Sequence, residues 1–481
     1  MTGGSPLAGR GTSPVSSIAE AVAAGRTRAT DLVAEALRRI ERDDATLGAV
    51  VGLRVEEALR EASQLDRAVA EGERMGPLAG VPVLVKDLED VAGMRTTHGS
   101  LLFADAPPAI ADALIPARLR KAGAIIVGKA NLPEFATEGY TANRLFGVTG
   151  NPWDPERSPG GSSGGSAAAM AAGMVPFATA TDGGGSIRIP AALCGLVGIK
   201  PTLGLVPRHP APDWIDFSTA GPFATSVRDL RRLLAVEAGP APGDPSGLPE
   251  LGSWRPVAPP RRLLAAHRTS DLGPLPAGVA RTFGAAVAAL ADVLGLEVEW
   301  LDQRGFFTEG DPDIDWFTLA AAEHVASLGR ERVIAGLERM HPGARAFLEL
   351  GLAIGVDEYL AARRRRFGYV RRLDELLGTS DVLLTPTVAH EGWFADGRLT
   401  ADGRPGALPP DVYSTALQNV TGHPAITLPA GRSEHGLPFG LQITGPRFGD
   451  AALLDLAERW EAAHPWPAVA PGYAPFPAEL D

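Results

Sequence analysis

The segment from residue 158 to 200 constrains the fold more than any other part of the chain, because it is rich in small residues. Its first part, SPGGSSGGSAAAMAAG (158–173), is rich in glycine and serine and then in alanine. This pattern predicts a loop that leads into a tightly packed helix of small residues. The run MVPFATAT (174–181) is strand-like, DGGGS (182–186) predicts a glycine turn, and IRIPAALCG (187–195) predicts another helix.

Short apolar runs alternate with helical patterns in the rest of the chain. GVPVLVK (80–86) and AIIVG (124–128) predict buried strands, with a helix, DALIPARLRKAG, between them. Further strands are predicted at RLLAAH (262–267), LEVEW (296–300), DVLLT (381–385), PAITLP (424–429) and FGLQITG (439–445). Further helices are predicted at 30–42, 55–72, 276–293, 357–377 and 451–463. Strands that alternate with helices predict an α/β core.

The domain organisation predicted from these patterns is a single domain over residues 1–481. A stretch rich in proline and glycine (238–260) has α/β elements on both sides, and the chain contains no repeats. We therefore expect a helical N-terminal part at about 15–75, a core at about 76–235, and a remainder that completes the sheet and the substrate pocket.

Composition excludes several classes of protein. The net charge of −12 and the pI of about 5.3 argue against non-specific nucleic-acid binding and against a basic membrane patch. The single cysteine, Cys194, excludes an internal disulfide and a cysteine-rich metal cluster. The apolar runs are too short to span a bilayer, and residues 1–17 lack the apolar core of a signal peptide. We therefore expect a cytoplasmic protein.

Lysine is rare in this chain. Only Lys86, Lys121, Lys129 and Lys200 are lysines among the 45 basic residues. A surface charge can be carried equally by arginine, but a side chain that must lose its proton cannot be arginine. Each lysine is therefore a candidate for chemistry, although a lysine that only carries charge fits the same pattern.

Two familiar motifs lack the context that they need, and the histidines form no familiar motif. GAIIVGK (123–129) resembles a phosphate-binding loop, but Ala130 cannot ligate magnesium and the segment is strand-like. GSSGG (161–165) fits the nucleophile elbow of α/β-hydrolases with Ser163 as nucleophile, but the preceding segment has three prolines and cannot be the required strand. The nine histidines show no metal-binding spacing, and spacing alone neither supports nor excludes a histidine-based triad.

The remaining candidate is a site made from serine and lysine. Lys86 ends a buried strand, and the loop at 160–165 and the turn at 182–186 both contain consecutive glycines. Such glycines allow backbone N–H groups to converge on one point, as an oxyanion hole requires, and Ser186 could attack a carbonyl held there. An ordinary flexible turn would have the same local sequence.

A long, ordered set of motifs resembles the amidase signature family over nearly the whole chain. The motifs are GVPVLVKDLEDVAGMRTTHGS, GGSSGGSAAAMAAG, TDGGGSIRIPAALCGLVGIKPT, GPFATSVRDL, LLTPT, GHPAITLPAG and GLPFGLQITGP. The resemblance implies an α/β amidase signature fold, in which helices flank both faces of a central, mixed, twisted β-sheet. It also implies a hydrolase that cleaves the C–N bond of amides through an acyl-enzyme.

The resemblance implies a role for each residue of a Ser–Ser–Lys triad. Ser186 would be the nucleophile, Ser162 would follow a cis peptide bond and relay the proton, and Lys86 would be the base. A lysine can act as a base only when it is neutral, and burial favours the neutral form.

The resemblance also implies the surroundings of the triad. The oxyanion hole would use the N–H groups of Gly183, Gly184 and Gly185, together with that of Ser186. Three side chains would support the site: Asp182 and Arg188 hold the turn, and Ser163 joins the hydrogen-bond network. Cys194 is expected to serve packing.

The sequence departs from the family pattern at a few positions. Ala180 replaces the glycine of the usual GTD, and Gly183 stands where a larger residue is common. The branch that acts as a transamidase subunit on misacylated tRNA typically has glutamine where this chain has Ile189, which disfavours that alternative. Because all three triad residues are present, a pure binding role is disfavoured too.

The substrate pocket is predicted in three irregular segments, 138–147, 208–219 and 304–317. Their aromatic residues are candidates for an apolar acyl or aryl pocket, and each fits a core position equally well: Tyr140, Trp214, Phe217, Phe306, Phe307 and Trp316. No acidic or basic cluster is evident near the motifs, which favours a neutral, hydrophobic small-molecule substrate. Aryl amides, carbamates (urethanes) and esters all fit. No metal or cofactor is implied, and both a monomer and a homodimer are open.

Overall fold

A computed structural model describes residues 14–248, 258–270, 274–302, 306–399 and 414–480. The helices are α1 (Pro14–Ala23), α2 (Ala29–Leu47), α3 (Val55–Ala70), α4 (Leu114–Lys121), α5 (Gly164–Ala171), α6 (Arg188–Cys194), α7 (Val227–Glu237), α8 (Ala277–Leu294), α9 (Pro312–Leu328), α10 (Arg330–Gly336), α11 (Pro342–Ala353), α12 (Val356–Leu377), α13 (Ala416–Thr421) and α14 (Asp450–Ala463). Short 3₁₀ turns occur at Glu134–Ala136 and Leu337–Arg339.

The strands form two larger hydrogen-bonded ladders and two short pairs. They are β1 (Val50–Leu53), β2 (Pro82–Lys86), β3 (Ile125–Ala130), β4 (Ala142–Asn143), β5 (Gly147–Val148), β6 (Phe177–Ala178), β7 (Thr181–Asp182), β8 (Val197–Lys200), β9 (Thr219–Ala220), β10 (Phe223–Ala224), β11 (Leu263–Ala265), β12 (Val298–Trp300), β13 (Val382–Pro386), β14 (Ala425–Arg432) and β15 (Pro438–Thr444). One ladder has the order β1-β3-β2-β6 and the other β10-β8-β14-β15-β13-β11-β12. The short pairs are β4 with β5 and β7 with β9.

The smaller ladder presents Lys86 at the end of β2. Strand β2 runs parallel to β3 and to β6, whereas β1 is antiparallel to β3. Every residue of β2 and β3 is buried, as expected for parallel strands that are covered on both faces. A polar side chain at the end of such a strand is held by a rigid frame.

The larger ladder is mixed. Strand β11 is parallel to β12 and β13, and β13, β15, β14 and β8 pair successively in antiparallel fashion. Helix α5 contacts β2, β3 and β6, and all eight of its residues are buried. Its small residues allow this close approach: a Cβ added at Gly165 would lie 2.5 Å from backbone atoms of Asn131.

A second core lies among the helices that follow residue 311. Helices α11 and α12 pack on α9, and their apolar side chains join those of Trp214, Phe217 and Phe135 in one cluster. This cluster brings the segment around Trp214 and the start of α9 over the glycine turn. Helix α8 is apolar and long enough to cross a membrane, but it packs on β13, β14 and β15, and one such helix is weak evidence of a span.

The mixed α/β fold class predicted from the sequence is confirmed. Three local predictions were incomplete. Strand β1 was not predicted. The strand-like run 174–181 is not continuous: residues 177–178 form β6, and Thr181 begins β7. Helices α9 to α11 were not anticipated. Of the connection predicted at 238–260, residues 249–257 lie outside the described residues.

Candidate active site

Lys86 is fully buried, and its amino group faces two hydroxyl groups. The Lys86 Nζ atom lies 2.8 Å from Ser162 Oγ and 2.8 Å from Thr181 Oγ1. Burial lowers the pKa of Lys86 to about 7, although the carboxylates of Glu89 and Asp182 raise it in part. A substantial fraction of this amine is therefore neutral near pH 7.

Ser162 lies in the glycine loop just before α5. The Gly161–Ser162 peptide bond is cis, as the family resemblance implied. A Cβ at position 161 would lie 2.6 Å from the carbonyl oxygens of both Glu138 and Tyr140, so only glycine fits there. This close packing fixes the loop that delivers Ser162 to Lys86.

Ser186 follows the glycine turn and precedes α6. It is 8% exposed, and its carbonyl oxygen accepts a hydrogen bond from the Ser163 N–H at 3.3 Å. The Ser163 hydroxyl in turn donates to the Thr181 carbonyl at 3.3 Å. The loop of Ser162 and the turn of Ser186 are thus tied together by Ser163, and both Ser162 and Ser186 line one cavity.

The three glycines before Ser186 are packed too closely for any side chain. A Cβ at Gly183, Gly184 or Gly185 would lie 2.0, 2.5 or 2.3 Å from a neighbouring atom. Those neighbours are, respectively, the ring of Trp214, the ring of Trp316 and the hydroxyl of Thr415. Family members commonly have a larger residue at position 183. In this chain the indole ring of Trp214 fills the space that a larger side chain would need, which explains the glycine.

Asp182 and Arg188 form a buried ion pair that holds the turn. Arg188 Nε and Nη2 each donate to an Asp182 carboxylate oxygen at 2.9 Å. The same carboxylate accepts from the N–H groups of Gly185 at 2.7 Å and Ile187 at 3.2 Å. Burial opposes ionisation, but the charge and hydrogen bonds of Arg188 outweigh it and lower the pKa of Asp182 to about 2.

Residues of the C-terminal third complete this network, and sequence reasoning missed them. The guanidinium group of Arg188 also donates to side-chain or backbone oxygens of Thr415, Gln418, Asn419 and Gln442. No local signal marks these residues, because they stand more than 200 positions from Arg188. Thr181 was quoted within the TDGGGS motif but was not assigned a contact with Lys86.

The backbone of the glycine turn is held on its carbonyl side. The Gly183 carbonyl accepts from Trp316 Nε1 at 2.6 Å, and the Gly184 carbonyl accepts from Thr415 Oγ1 at 2.5 Å. The N–H of Gly185 is occupied by Asp182. Among the described residues, no acceptor is seen for the N–H groups of Gly183, Gly184 and Ser186.

Two cavities meet at Ser186. The larger, of about 270 Å³, is lined by Ser162, Thr181, Gly183 and Ser186 and by the side chains of Phe135, Trp214, His98 and His324, among others. The smaller, of about 20 Å³, is lined by Glu138, Gly184, Ser186, Trp214, Asp313, Trp316 and Phe317, among others.

The predicted pocket residues are distributed unevenly between these cavities. Trp214 lines both of them, and Trp316 lines the smaller one. Phe217 stacks on Trp214 from behind, with ring centroids 6.2 Å apart, and Tyr140 packs against Trp393. Phe306 lies elsewhere, in a pocket that it shares with Phe307. Cys194 is buried in the core, and burial raises the pKa of its thiol.

Comparison with known proteins agrees with this arrangement. The sequence model of the Amidase family matches residues 31–326 and 345–454. The chain belongs to the amidase signature family. Enzymes of this family act on C–N bonds, and the present enzyme has their mixed α/β fold.

Its relatives differ in what their names say of their activity. Acylamidase of Rhodococcus erythropolis is 32% identical over 486 residues, which cover 93% of this chain and 95% of the relative. A glutamyl-tRNA(Gln) amidotransferase subunit from a Picosynechococcus species is 34% identical over 478 residues, which cover 91% and 95%. The crystal structure of a bacterial aryl acylamidase matches with a TM-score of 0.83 and 29% identity, covering 93% of this chain and 96% of that one.

Proposed function

We propose that this enzyme hydrolyses the C–N bond of aryl amides, with Ser186 as nucleophile, Ser162 as proton relay and Lys86 as base. The observation that carries the proposal is the buried Lys86 amine, whose pKa is lowered to about 7 and which lies 2.8 Å from the Ser162 hydroxyl. A general base works best when its pKa lies near the operating pH.

In the proposed reaction, the neutral Lys86 amine accepts the Ser162 proton while Ser162 accepts the proton of Ser186. The Ser186 oxygen attacks the amide carbonyl carbon and forms a tetrahedral oxyanion. The proton returns through Ser162 to the leaving nitrogen, the C–N bond breaks, and the amine departs. A water molecule, deprotonated by the same relay, attacks the acyl-enzyme, releases the carboxylic acid and regenerates Ser186.

We assign the oxyanion hole to the N–H groups of Gly183, Gly184 and Ser186 rather than to that of Gly185. The Gly185 N–H already donates to Asp182 at 2.7 Å, whereas the other three have no acceptor among the described residues. Donors fixed in advance stabilise a developing negative charge without reorganisation. The hydrogen bonds to the two glycine carbonyls support this role, because they restrict rotation of the turn.

The lining of the larger cavity supports an aryl group. His324 lies between two aromatic rings, with centroids 5.8 Å from Phe135 and 5.6 Å from Trp214. Burial lowers the pKa of both His324 and His98, so these imidazoles are neutral near pH 7. The cavity of about 270 Å³ is also lined by Glu89, Asp90, Arg208 and Asp213, but its aromatic side provides a surface on which an aromatic ring can pack.

Two alternatives use the same groups. Carbamate or ester hydrolysis needs the same nucleophile and base, and would differ only in the leaving group. A role as a transamidase subunit is supported by the 34% identity to the Picosynechococcus protein. It is disfavoured by Ile189, an apolar residue that lines the smaller cavity next to the turn.

A matched pair of substrates tests the proposal. An N-aryl amide and an N-aryl carbamate with the same arylamine both release that amine, so one assay measures both rates. We expect the amide to be hydrolysed faster, and Ser186→Ala to reduce the rate by about 10³-fold or more.

Each other outcome has a defined meaning. A faster carbamate reaction would make the enzyme a carbamate hydrolase. If folded enzyme released no arylamine from either substrate but did release ammonia from glutamine, the transamidase alternative would replace the proposal.

A further inference from the structure

The smaller cavity beside Ser186 is lined by two buried carboxyl groups from distant parts of the chain. Glu138 follows the 3₁₀ turn at Glu134–Ala136, and Asp313 lies in the first turn of α9. Their side chains are buried, with only 4% and 5% exposed. The mechanism proposed above uses neither group.

Glu138 lacks a partner that would compensate its charge. Among the described residues, neither carboxylate oxygen forms an ion pair with a lysine or arginine, and a hydrogen bond from the Tyr140 hydroxyl stabilises the charge only in part. Burial raises the pKa of Glu138 to about 7. The His341 Nδ1 atom lies 3.9 Å away, but burial lowers the pKa of His341, so this ring supplies no cation near pH 7.

Packing keeps the Glu138 carboxyl in place. Its Oε1 atom occupies the space directly beside Gly343, at the start of α11, where a Cβ would lie 1.2 Å from it. A glycine at this position thus leaves room for the carboxyl at the wall of the cavity. A buried, uncompensated carboxylate costs free energy unless a ligand pairs with it.

Asp313 provides a second carboxyl group in the same lining. Burial raises its pKa to about 8, and the neighbouring carboxylate of Asp311 adds to this effect. A hydrogen bond from Ser270 and the charge of Arg268 oppose the shift only in part. Both carboxyl groups therefore have the raised pKa expected where nearby positive charge does not compensate for burial.

The rest of the lining suits a small cation. The rings of Trp214, Trp316 and Phe317 form aromatic walls, which attract ammonium groups through their π faces. The volume of about 20 Å³ is close to that of one water-sized group. An ammonium group fits this space, whereas a longer alkyl chain or a second ring does not.

We propose that the smaller cavity binds an ammonium group on the acyl part of the substrate, so that the substrate class is short aminoacyl aryl amides. The proposal rests on the proposed function: Ser186 lines both cavities, so the scissile carbonyl lies where they meet. With the N-aryl ring in the larger cavity, the acyl part enters the smaller one. This differs from the neutral substrate that the sequence favoured.

Glycine p-nitroanilide and propionic acid p-nitroanilide form a matched pair for the test. The acyl parts differ only in an ammonium or a methyl group at the end, and both release p-nitroaniline. We expect kcat/KM to be at least about 10²-fold higher for the glycine compound at pH 7, because the propionyl compound leaves both carboxyl groups unpaired.

Substitutions then show which groups cause the preference. Glu138→Gln and Asp313→Asn keep the size of each side chain and remove its ability to ionise beside a bound ammonium group, and each should reduce the ratio of the two kcat/KM values by about tenfold or more. Effects on the rate of both substrates cancel in this ratio. Glu237→Gln is the matched control: Glu237 is a buried carboxyl whose pKa burial also raises, but it lines neither cavity. It should leave the ratio unchanged.

A binding measurement separates this proposal from the proposed function. Calorimetry on Ser186→Ala measures affinity for the two anilides without turnover, even if neither anilide is a substrate. Tighter binding of the glycine compound that is lost in the double variant with Glu138→Gln would support the ammonium site. Equal affinity for the two compounds, or a preference that survives both Glu138→Gln and Asp313→Asn, would overturn it.

Discussion

Two buried lysines on neighbouring strands of this enzyme have opposite surroundings. Lys86 ends β2, and Lys129 lies on β3 beside Val85 in the parallel register. The Lys129 amino group donates to the carboxylate of Asp87 at 3.3 Å, to the Glu89 carbonyl at 2.6 Å and to the hydroxyl of Thr96 at 2.9 Å. Lys86 instead donates to two hydroxyl groups.

The difference shows that the partner, rather than burial, decides what a buried lysine can do. Burial lowers the pKa of both amines, but at Lys129 the charge and the hydrogen bond of Asp87 oppose the effect directly. Lys86 has only more distant carboxylates, and its pKa is lowered to about 7. Lys129 is thus one half of a buried ion pair, whereas a substantial fraction of the Lys86 amine is neutral near pH 7.

Lys200 shows that a lowered pKa alone does not make a base. It is also buried, and burial together with the charge of Arg188 lowers its pKa to about 7. Its amino group donates to the Pro201 carbonyl at 2.8 Å, and a carbonyl has no proton to give. A catalytic lysine also needs a hydroxyl partner that lines a cavity, as Ser162 does for Lys86.

The largest effect is expected from Lys86→Met. Loss of the base should reduce kcat by about 10³-fold or more, because the three triad groups would act as a unit.

The same substitution should change how stability depends on pH. The pKa of Lys86 is about 7 in the folded protein and lies below its unfolded value, so between pH 7 and 10.5 the unfolded chain binds more protons. Wild-type stability should therefore rise with pH in this range, and the variant should lose that dependence and unfold at an equal or higher temperature.

Lys121→Met is the control for this experiment, since Lys121 is an exposed lysine. It should change neither the rate nor the unfolding temperature. An active Lys86→Met variant, or an active Lys86→Arg variant, would remove Lys86 from the mechanism.

Lys129→Met makes the same change one strand away and should have the opposite result. It leaves the Asp87 carboxylate buried with only Thr97 as a hydrogen-bond donor in the part of the chain that the structure describes. Breaking a buried ion pair in this way costs about 3–5 kcal/mol of unfolding free energy. Urea unfolding should show this loss, whereas kcat per folded molecule should fall less than about tenfold. A variant that is stable but inactive would contradict the comparison.

The strands and helices with strong local patterns could be predicted from the sequence. The predicted strand at 381–385 corresponds to Val382–Pro386, and the predicted helix at 276–293 to Ala277–Leu294. Strand β1 has only four residues and none of them is buried, so it lacks a clear pattern. Helix α9 is buried around most of its surface and has no polar face, which removes the helical period.

Only those site residues that belong to contiguous sequence motifs could be predicted. Lys86, Ser162 and Ser186 each lie within a glycine-rich or strand motif, and the resemblance identified them together. Glu138 and Asp313 stand 175 positions apart, in two segments that were expected to shape the substrate pocket. Their contact with one cavity arises from tertiary packing, so a search for acidic clusters along the sequence could not detect it.

The smallest effect, and the sharpest test of the hydroxyl surroundings, is expected from Thr181→Val. The substitution keeps the shape of the side chain and removes one acceptor from the Lys86 ammonium, which disfavours the charged form. A single hydrogen bond contributes about 0.5–1.5 kcal/mol, so the pKa of Lys86 should fall by up to about one unit. The wild-type rate should rise with pH through about 7, and the midpoint of this rise should move to lower pH in the variant.

The conservative variant distinguishes this effect from a packing defect. Thr181→Ser keeps the hydroxyl but removes a methyl group, so it should return the midpoint toward the wild-type value even if it lowers the unfolding temperature. The maximal rate of Thr181→Val should fall by about tenfold or less, since the contact of Lys86 with Ser162, the proposed relay, is kept. A midpoint that moves equally in both variants, or not at all, would mean that Thr181 does not tune Lys86. The difference in pKa between Lys86 and Lys129 would then be explained only by the close carboxylate of Asp87, which Lys129 has and Lys86 lacks.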